Sequence, residues 1–284
     1  MLQQEVRGGW SDPAFESVVH LLNARTGLTF GPSAQFSAEA GTRRAMERAG
    51  VSDVGTYLEW LHDGKALFAD LVDELTVCET FFFRQPAHFE LLRKHLLSEI
   101  RQRRGPEHRV RAWSAGCASG EEAYSLAILF DQEGILERSY ILGTDISRVA
   151  LEKARAASYG LWSLRGLDDE QLIRRYFNRV GYNEVLKDRV REQVIFIELN
   201  LAGRGIQARH LQNFDIIFCR NVLIYFDQQT IARVAERLYE TLGDGGWLVT
   251  GASDPLLHKY APFQTVVTNM GAVYRKRGKK GVSV

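Results

Sequence analysis

Residues 110–132, VRAWSAGCASGEEAYSLAILFDQ, constrain the fold of this chain more than any other stretch. A short apolar run, 110–115, meets a turn of small residues, Gly116-Cys117-Ala118-Ser119-Gly120. Glu121 and Glu122 follow, and then a helical pattern with Tyr124, Ala127 and Ile128 on one face. This order predicts a strand, a tight turn and a helix. Glycines at such a turn let the backbone approach a ligand and bring the first helical N–H groups beside it. A second strand-like run, 140–144, ends in Asp145. An acidic residue at about this distance beyond the turn holds the ribose in doubly wound folds. The full G-x-G-x-x-G is missing, so a structural turn remains the alternative, with Asp145 favouring a nucleoside.

The rest of the chain extends this pattern on both sides. Asp12-Pro13 is a helix start and Gly27 a stop. Further helices are expected over 33–49, 54–63 and 65–77, with no strand pattern between them, so 1–77 reads as a small helical domain. Residues 78–86 read as a linker. Its three phenylalanines, 81–83, fit either a hydrophobic clasp or a cover over a ligand cleft. A helix over 87–103 leads into strands at 110–115, 140–144, 193–199, 214–219 and 246–251, alternating with helices at 121–132, 147–156 and 228–242. A closing hairpin, 263–268 and 272–276, is expected to turn at Gly271. This alternation predicts an α/β fold, a doubly wound and mostly parallel sheet over 87–277. Residues 158–193 break it and read as a small β insertion with a helical piece from Asp168. Residues 278–284 form a basic tail.

The bulk numbers exclude several classes. With 284 residues the chain is long enough for two domains. Its net charge of +1 offers no global field for nucleic acid or membrane. The three cysteines are far apart, as in a reduced cytoplasmic protein, and no metal-ligand spacing appears. There is neither a signal-peptide core nor an apolar run near the roughly 20 residues of a membrane span. No P-loop lysine motif and no G-x-S-x-G occur.

In an open parallel sheet the ligand lies at the carboxyl ends of the strands. Those ends supply Gly116, Asp145, Asn200-Leu201 and Arg220-Asn221. Asn200 and Asn221 suit either a ligand edge or a turn cap. Tyr225, just beyond the last pair, suits either substrate positioning or core. Arg43, Arg44 and Arg48 suit either a solvated helix face or a docking surface for an acidic partner.

Three motifs then resemble a known family, the CheR-type S-adenosylmethionine-dependent protein-glutamate O-methyltransferases of chemoreceptors. They are ETFFFR at 79–84, WSAGCASGEEAYS at 113–125 and FDIIFCRNVLIYF at 214–226, with LEKARAASYG at 151–160 in matching order. The resemblance covers nearly the whole chain. It implies a helical domain, a Rossmann-like class I methyltransferase domain and an inserted β-subdomain. It also implies S-adenosylmethionine as cofactor and S-adenosylhomocysteine as product. By position, Cys78, Thr80, Arg84, Gly116, Glu121, Asp145, Asn200, Leu201, Arg220 and Asn221 would surround the cofactor. Arg84 and Tyr225 would act in catalysis, and Arg43, Arg44 and Arg48 would dock the cytoplasmic helical region of the receptor. A cytoplasmic protein recruited to receptor arrays is the corresponding expectation.

The chain departs from the family pattern at three places. Cys78 stands where asparagine is usual, Ala123 where proline is usual, and Gly251-Ala252-Ser253-Asp254 where Gly-His-Ser-Glu is usual. The insertion is short, which argues against a grip on a receptor's C-terminal pentapeptide. A non-catalytic cofactor-binding signalling module is the alternative function.

Overall fold

The computed structural model describes residues 10–167, 169–203, 211–268 and 271–278. The first nine residues, Asp168 at the head of the expected insertion helix, and the tail from 279 lie outside them. The chain divides into two compact units. One holds the residues up to Val77 together with Tyr225–Asp227, and the other holds Cys78–Ile224 and the residues from Gln228 onward.

The first unit is all helical: α1 (Pro13–Thr26), α2 (Gln35–Ala49), α3 (Val54–Asp63) and α4 (Phe68–Leu75). The Asp12 carboxylate accepts from the Ala14 N–H at 2.8 Å, and Gly27 closes α1 in the left-handed region. Helix α4 is shorter than its apolar pattern suggests. Leu67 is its extended N-cap and Thr76 its extended C-cap. Phe15, Val18, Leu22, Tyr57, Leu61 and Leu71 form the core. Thr29 donates to the Tyr225 carbonyl from both its N–H and its hydroxyl, at 2.8 and 2.9 Å, and Leu28 bridges Phe226.

The second unit opens with α5 (Pro86–Leu91), a π-helical turn at Leu92–Leu96, and α6 (Leu97–Arg104). The alternation follows as β1 (Val110–Ala115), α7 (Glu121–Gln132), β2 (Ser139–Asp145) and α8 (Arg148–Ala156). Then come β3 (Ser158–Tyr159), α9 (Glu170–Tyr176), β4 (Phe177–Val180), β5 (Asn183–Leu186), α10 (Asp188–Arg191) and β6 (Val194–Glu198). The chain closes with β7 (Phe214–Cys219), α11 (Gln228–Thr241), β8 (Leu242–Thr250), β9 (Gln264–Thr268) and β10 (Gly271–Arg275).

Among the described residues seven strands form one sheet in the order β6-β2-β1-β7-β8-β10-β9. All neighbours are parallel except β10, which runs antiparallel to both β8 and β9. This is the expected doubly wound α/β architecture with an antiparallel end. The order reverses between β1 and β7, so the crevice for a ligand opens at their carboxyl ends.

Two local readings change. The last parallel strand starts earlier than the expected 246, because β8 runs from Leu242 through Gly243, Gly245 and Gly246. Its register against β7 slips between Phe214 and Ile216, and Gly245 takes φ +71°, so the glycines are absorbed as an irregularity inside the strand. Gly271 is not the apex of the closing hairpin; it pairs with Thr268 as the first residue of β10.

The insertion forms a separate three-stranded antiparallel sheet, β3-β5-β4. One carboxylate ties it to α7. Asp131, 9% exposed at its side chain, accepts from the Tyr176 hydroxyl at 2.8 Å and from both terminal nitrogens of Arg189 at 2.7 and 3.0 Å. Arg175 stands at 3.4 Å. Charged hydrogen bonds of this kind contribute about 1.5–3 kcal/mol each, less where the arginines face solvent. Asp131→Asn should therefore lower stability in urea unfolding by roughly 2 kcal/mol. Arg174→Ala, which breaks only an exposed pair with Glu170, should leave stability nearly unchanged. Equal stability of Asp131→Asn and the wild type would show that this carboxylate does not anchor the insertion.

Candidate functional site

The turn after β1 is fixed by hydrogen bonds across to β2. The N–H groups of Gly116 and Cys117 both donate to the Thr144 carbonyl, at 2.8 and 2.9 Å. Gly116 has φ +79°, and a side chain there would collide with Val222. Ala118 also has positive φ, and its N–H donates to Asp145 Oδ2 at 2.8 Å, while Ser147 N–H donates to Oδ1 at 2.9 Å. Asp145 is half-buried at the end of β2. The glycine turn and the acidic strand end thus meet through a direct hydrogen bond.

Glu121 opens α7 and is 2% exposed. The Ser119 hydroxyl donates to its carboxylate at 2.8 Å. Burial pushes its carboxyl up, opposed by the Ser119 and Ser163 hydroxyls and by the charge of Arg165. Next to it, Glu122 accepts from the Ser114 hydroxyl at 2.7 Å and stands 3.2 Å from the Arg220 guanidinium. Arg220 directly follows β7 and is 6% exposed. It donates to the Arg84 carbonyl and, at 3.0 Å, to Gln85 Oε1. Its guanidinium is thereby engaged with the start of α7 and with the linker.

The linker phenylalanines differ in burial. Phe82 is fully buried and packs edge-on against Tyr159 and Phe177, so it is core. Phe81 and Phe83 are only partly buried. The Phe83 N–H donates to the Ser125 hydroxyl at 2.9 Å, and Arg84 donates to the Glu79 carbonyl at 2.7 Å. Cys78 is exposed and Thr80 half-buried.

Beyond β6, Asn200 uses its side-chain oxygen as a turn cap, accepting from Ala202 N–H at 2.9 Å, and Leu201 is buried. Asn221 adopts φ +58°, and its side-chain oxygen is buried with no hydrogen-bond donor. Non-glycine residues in this region cost about 1–3 kcal/mol and gather at functional sites. Here Phe83, Gln85, Ala118 and Asn221 all hold positive φ in the linker, the turn and the strand end.

Sequence reasoning missed the residue that holds Asn221 in place. Asp254 accepts from the N–H groups of Asn221 and Gly251 at 2.6 and 2.8 Å through one oxygen, and from Leu223 at 3.0 Å through the other. It lies 33 positions away, and no local pattern signals that reach. Within the family motif the change to Gly251-Ala252-Ser253-Asp254 draws attention to the missing histidine, whereas the carboxylate closing that run is what engages the strand-end loop.

The remaining candidates lie in the helical unit. Tyr225 is half-buried there, held by its carbonyl contacts with Thr29. Arg44 and Arg48 share Glu74, each at 2.5 Å, and Arg43 lies over the Phe15 ring at 4.7 Å. Among the described residues no cluster of His, Cys, Asp and Glu could hold a metal, and no helix is long and apolar enough to cross a membrane.

Comparison with known proteins gives this arrangement a context. Residues 78–272 match the family described as "CheR methyltransferase, SAM binding domain", and residues 13–76 match "CheR methyltransferase, all-alpha domain". Chemotaxis protein methyltransferase 1 of Pseudomonas aeruginosa is 33% identical over 93% of this chain and 97% of its own. Chemotaxis protein methyltransferase Cher2 of Pseudomonas putida is 32% identical, over 93% and 98%. The chemotaxis protein methyltransferase of Escherichia coli K12 is 35% identical, over 91% and 90%.

One group behind the site carries a pH signature. His88, on α5, is 6% exposed, and its Nδ1 has no hydrogen-bond partner. Burial, and after it the charge of Arg220, push its imidazole down from 6.5 to about 4. In the folded chain His88 therefore stays neutral down to about pH 4, while in the unfolded chain it takes up a proton below about 6.5. Its contribution is complete above that pH and is lost as pH falls toward 4, by up to about 3 kcal/mol. Urea unfolding at pH 7.5 and 5.0 should show His88→Gln losing about 2 kcal/mol less than the wild type between the two conditions. The same pH dependence in both would contradict a neutral buried His88.

Proposed function

The chain belongs to the CheR methyltransferase family and is an S-adenosylmethionine-dependent methyltransferase, and from that membership we propose that it methylates glutamate side chains in the cytoplasmic helical region of a chemoreceptor. The observation that carries this reading is the family match through both the helical and the methyltransferase portions. On this reading the chain acts in the cytoplasm, at receptor arrays.

The residues present fit the cofactor. Asp145 ends β2 as a carboxylate that accepts from the N–H groups of Ala118 and Ser147. It suits the hydroxyl pair of a ribose. The buried Asn221 oxygen is an acceptor without a donor, a natural partner for an ammonium or amino group. A side chain at Gly116 would collide with Val222, so the turn ahead of α7 offers bare backbone there. Cys78, Thr80, Arg84, Glu121, Asn200, Leu201 and Arg220 complete the proposed set. Arg220 would act through its hold on Arg84 and Gln85.

When bound, S-adenosylmethionine supplies a methyl group on a positively charged sulfur. The protein's own task is alignment. A glutamate carboxylate is ionised at neutral pH, with an ordinary pKa of about 4.3, so no general base is required. Orientation of two reacting groups lowers a barrier by roughly 7–11 kcal/mol. Arg84 is suited to orient a carboxylate through paired N–H donors. Tyr225 is a catalytic candidate on the family resemblance alone. Arg43, Arg44 and Arg48 are the proposed docking residues. Arg44 and Arg48 already face Glu74, so an acidic receptor helix would compete with that carboxylate.

Calorimetric titration with S-adenosylmethionine tests the site. Asp145→Ala and Arg84→Ala should each weaken binding about tenfold or more, the loss of a hydrogen bond involving a charged group, and should lower turnover on a receptor fragment without unfolding the protein. Wild-type affinity and turnover in both variants would overturn the assignment.

A further inference from the structure

The loop after β3 carries an arginine that the family motifs leave aside. The Arg165 guanidinium lies between two rings, 3.7 Å from the centroid of Phe81 and 4.0 Å from that of Trp162. It donates to the Trp162 carbonyl at 2.6 Å and stands 3.4 Å from the Glu79 carboxylate. Phe81 and Glu79 belong to the linker, and Trp162 belongs to the loop. Trp162 is 70% exposed, and Leu161 beside it is 78% exposed.

Two backbone contacts join the same pair of segments. The Phe82 N–H donates to the Ser163 carbonyl at 2.9 Å. Gly166 sits so close to the Phe82 carbonyl that any side chain there would collide with it. The loop also faces Glu121, through the Ser163 hydroxyl and the Arg165 charge. It therefore touches two parts of the proposed cofactor site, the linker and the head of α7.

We infer that Arg165 is a positioning residue for cofactor binding, clamping the Glu79–Phe81 face of the linker against the loop so that Thr80 and Arg84 are held in place before the ligand arrives. The inference rests on the cofactor site proposed above. A guanidinium suits the task because it is flat and stacks on both rings while its edge reaches Glu79; an ammonium keeps the charge but not the stack. Without the clamp the linker must be ordered by the ligand itself, a cost that appears in binding affinity. At saturating cofactor the reacting groups are unchanged, so the turnover number should hold.

The test is calorimetric titration of the full chain with S-adenosylmethionine, together with steady-state kinetics on a receptor cytoplasmic fragment. Arg165→Ala should raise Kd and the cofactor KM about tenfold, with kcat within about twofold of wild type. Arg165→Lys should recover only part of the affinity. Trp162→Ala, which removes one face of the stack, should show a smaller loss of the same kind. Arg174→Ala, an exposed arginine elsewhere in the insertion, should bind as wild type. If Arg165→Ala fails to fold, the Lys and Trp162 variants carry the test. Affinities within about twofold of wild type in all folded variants overturn the clamp, as does full recovery of affinity by lysine. Absence of cofactor binding by the wild type would instead overturn the site on which the clamp acts.

Discussion

The site depends on the buried pairing of Arg220 with Glu122. It joins three pieces of backbone that sequence keeps far apart: the end of β7, the first turn of α7 and the linker, which Arg220 reaches through the Arg84 carbonyl and the Gln85 side chain. Burying two charges is expensive, and their attraction repays the cost only when the geometry and the remaining hydrogen bonds are good. Burial indeed pushes the Glu122 carboxyl up and the Arg220 guanidinium down, each opposed by the other's charge. The Ser114 hydroxyl, the linker carbonyl and Gln85 supply hydrogen bonds, while Arg220 Nη1 meets Glu122 as an ion pair without hydrogen-bond geometry. Such a pair is weak evidence of stability, but removing one partner leaves an uncompensated buried charge, so the arrangement admits few alternatives.

Two other carboxylates work in the same way. Asp145 fixes the glycine turn through Ala118, and Asp254 gathers the N–H groups of Asn221, Leu223 and Gly251. Each directs backbone at a strand end. Together they hold Ala118 and Asn221 in the left-handed conformation, so the strain at the mouth of the crevice is supported from beneath. The insertion is anchored separately through Asp131, and its loop returns to the linker through Arg165.

The architecture was legible because it follows from local periodicity. The strand–turn–helix at 110–132, the acidic end of the next strand and the interruption at 158–193 can each be read from a window of neighbouring residues. The direct hydrogen bond from Ala118 to Asp145 shows why the turn and the acidic residue belong together. What escaped depends on contacts between distant residues. Asp254 reaches back 33 positions, and His88 owes its depressed pKa to burial and to Arg220, neither of which a local pattern encodes. Asn200 was readable both as a ligand contact and as a turn cap, and its side chain is seen capping Ala202. Phe82 was readable both as clasp and as cleft, and it lies wholly in the core. The strand expected from 246 begins at Leu242, because a shift of register lets it absorb glycines that weaken a strand pattern.

The reaction proposed for this site is transfer of a methyl group to a glutamate carboxylate of a receptor. The most direct measurement is incubation of the protein with methyl-labelled S-adenosylmethionine and a chemoreceptor cytoplasmic fragment, followed by mild base. A methyl ester on a carboxylate is cleaved by base and releases volatile labelled methanol, whereas a methyl group on nitrogen is retained. Label should appear on the receptor fragment and be released by base as methanol. Label that survives base, or no label on a receptor fragment while the protein binds the cofactor, would contradict it.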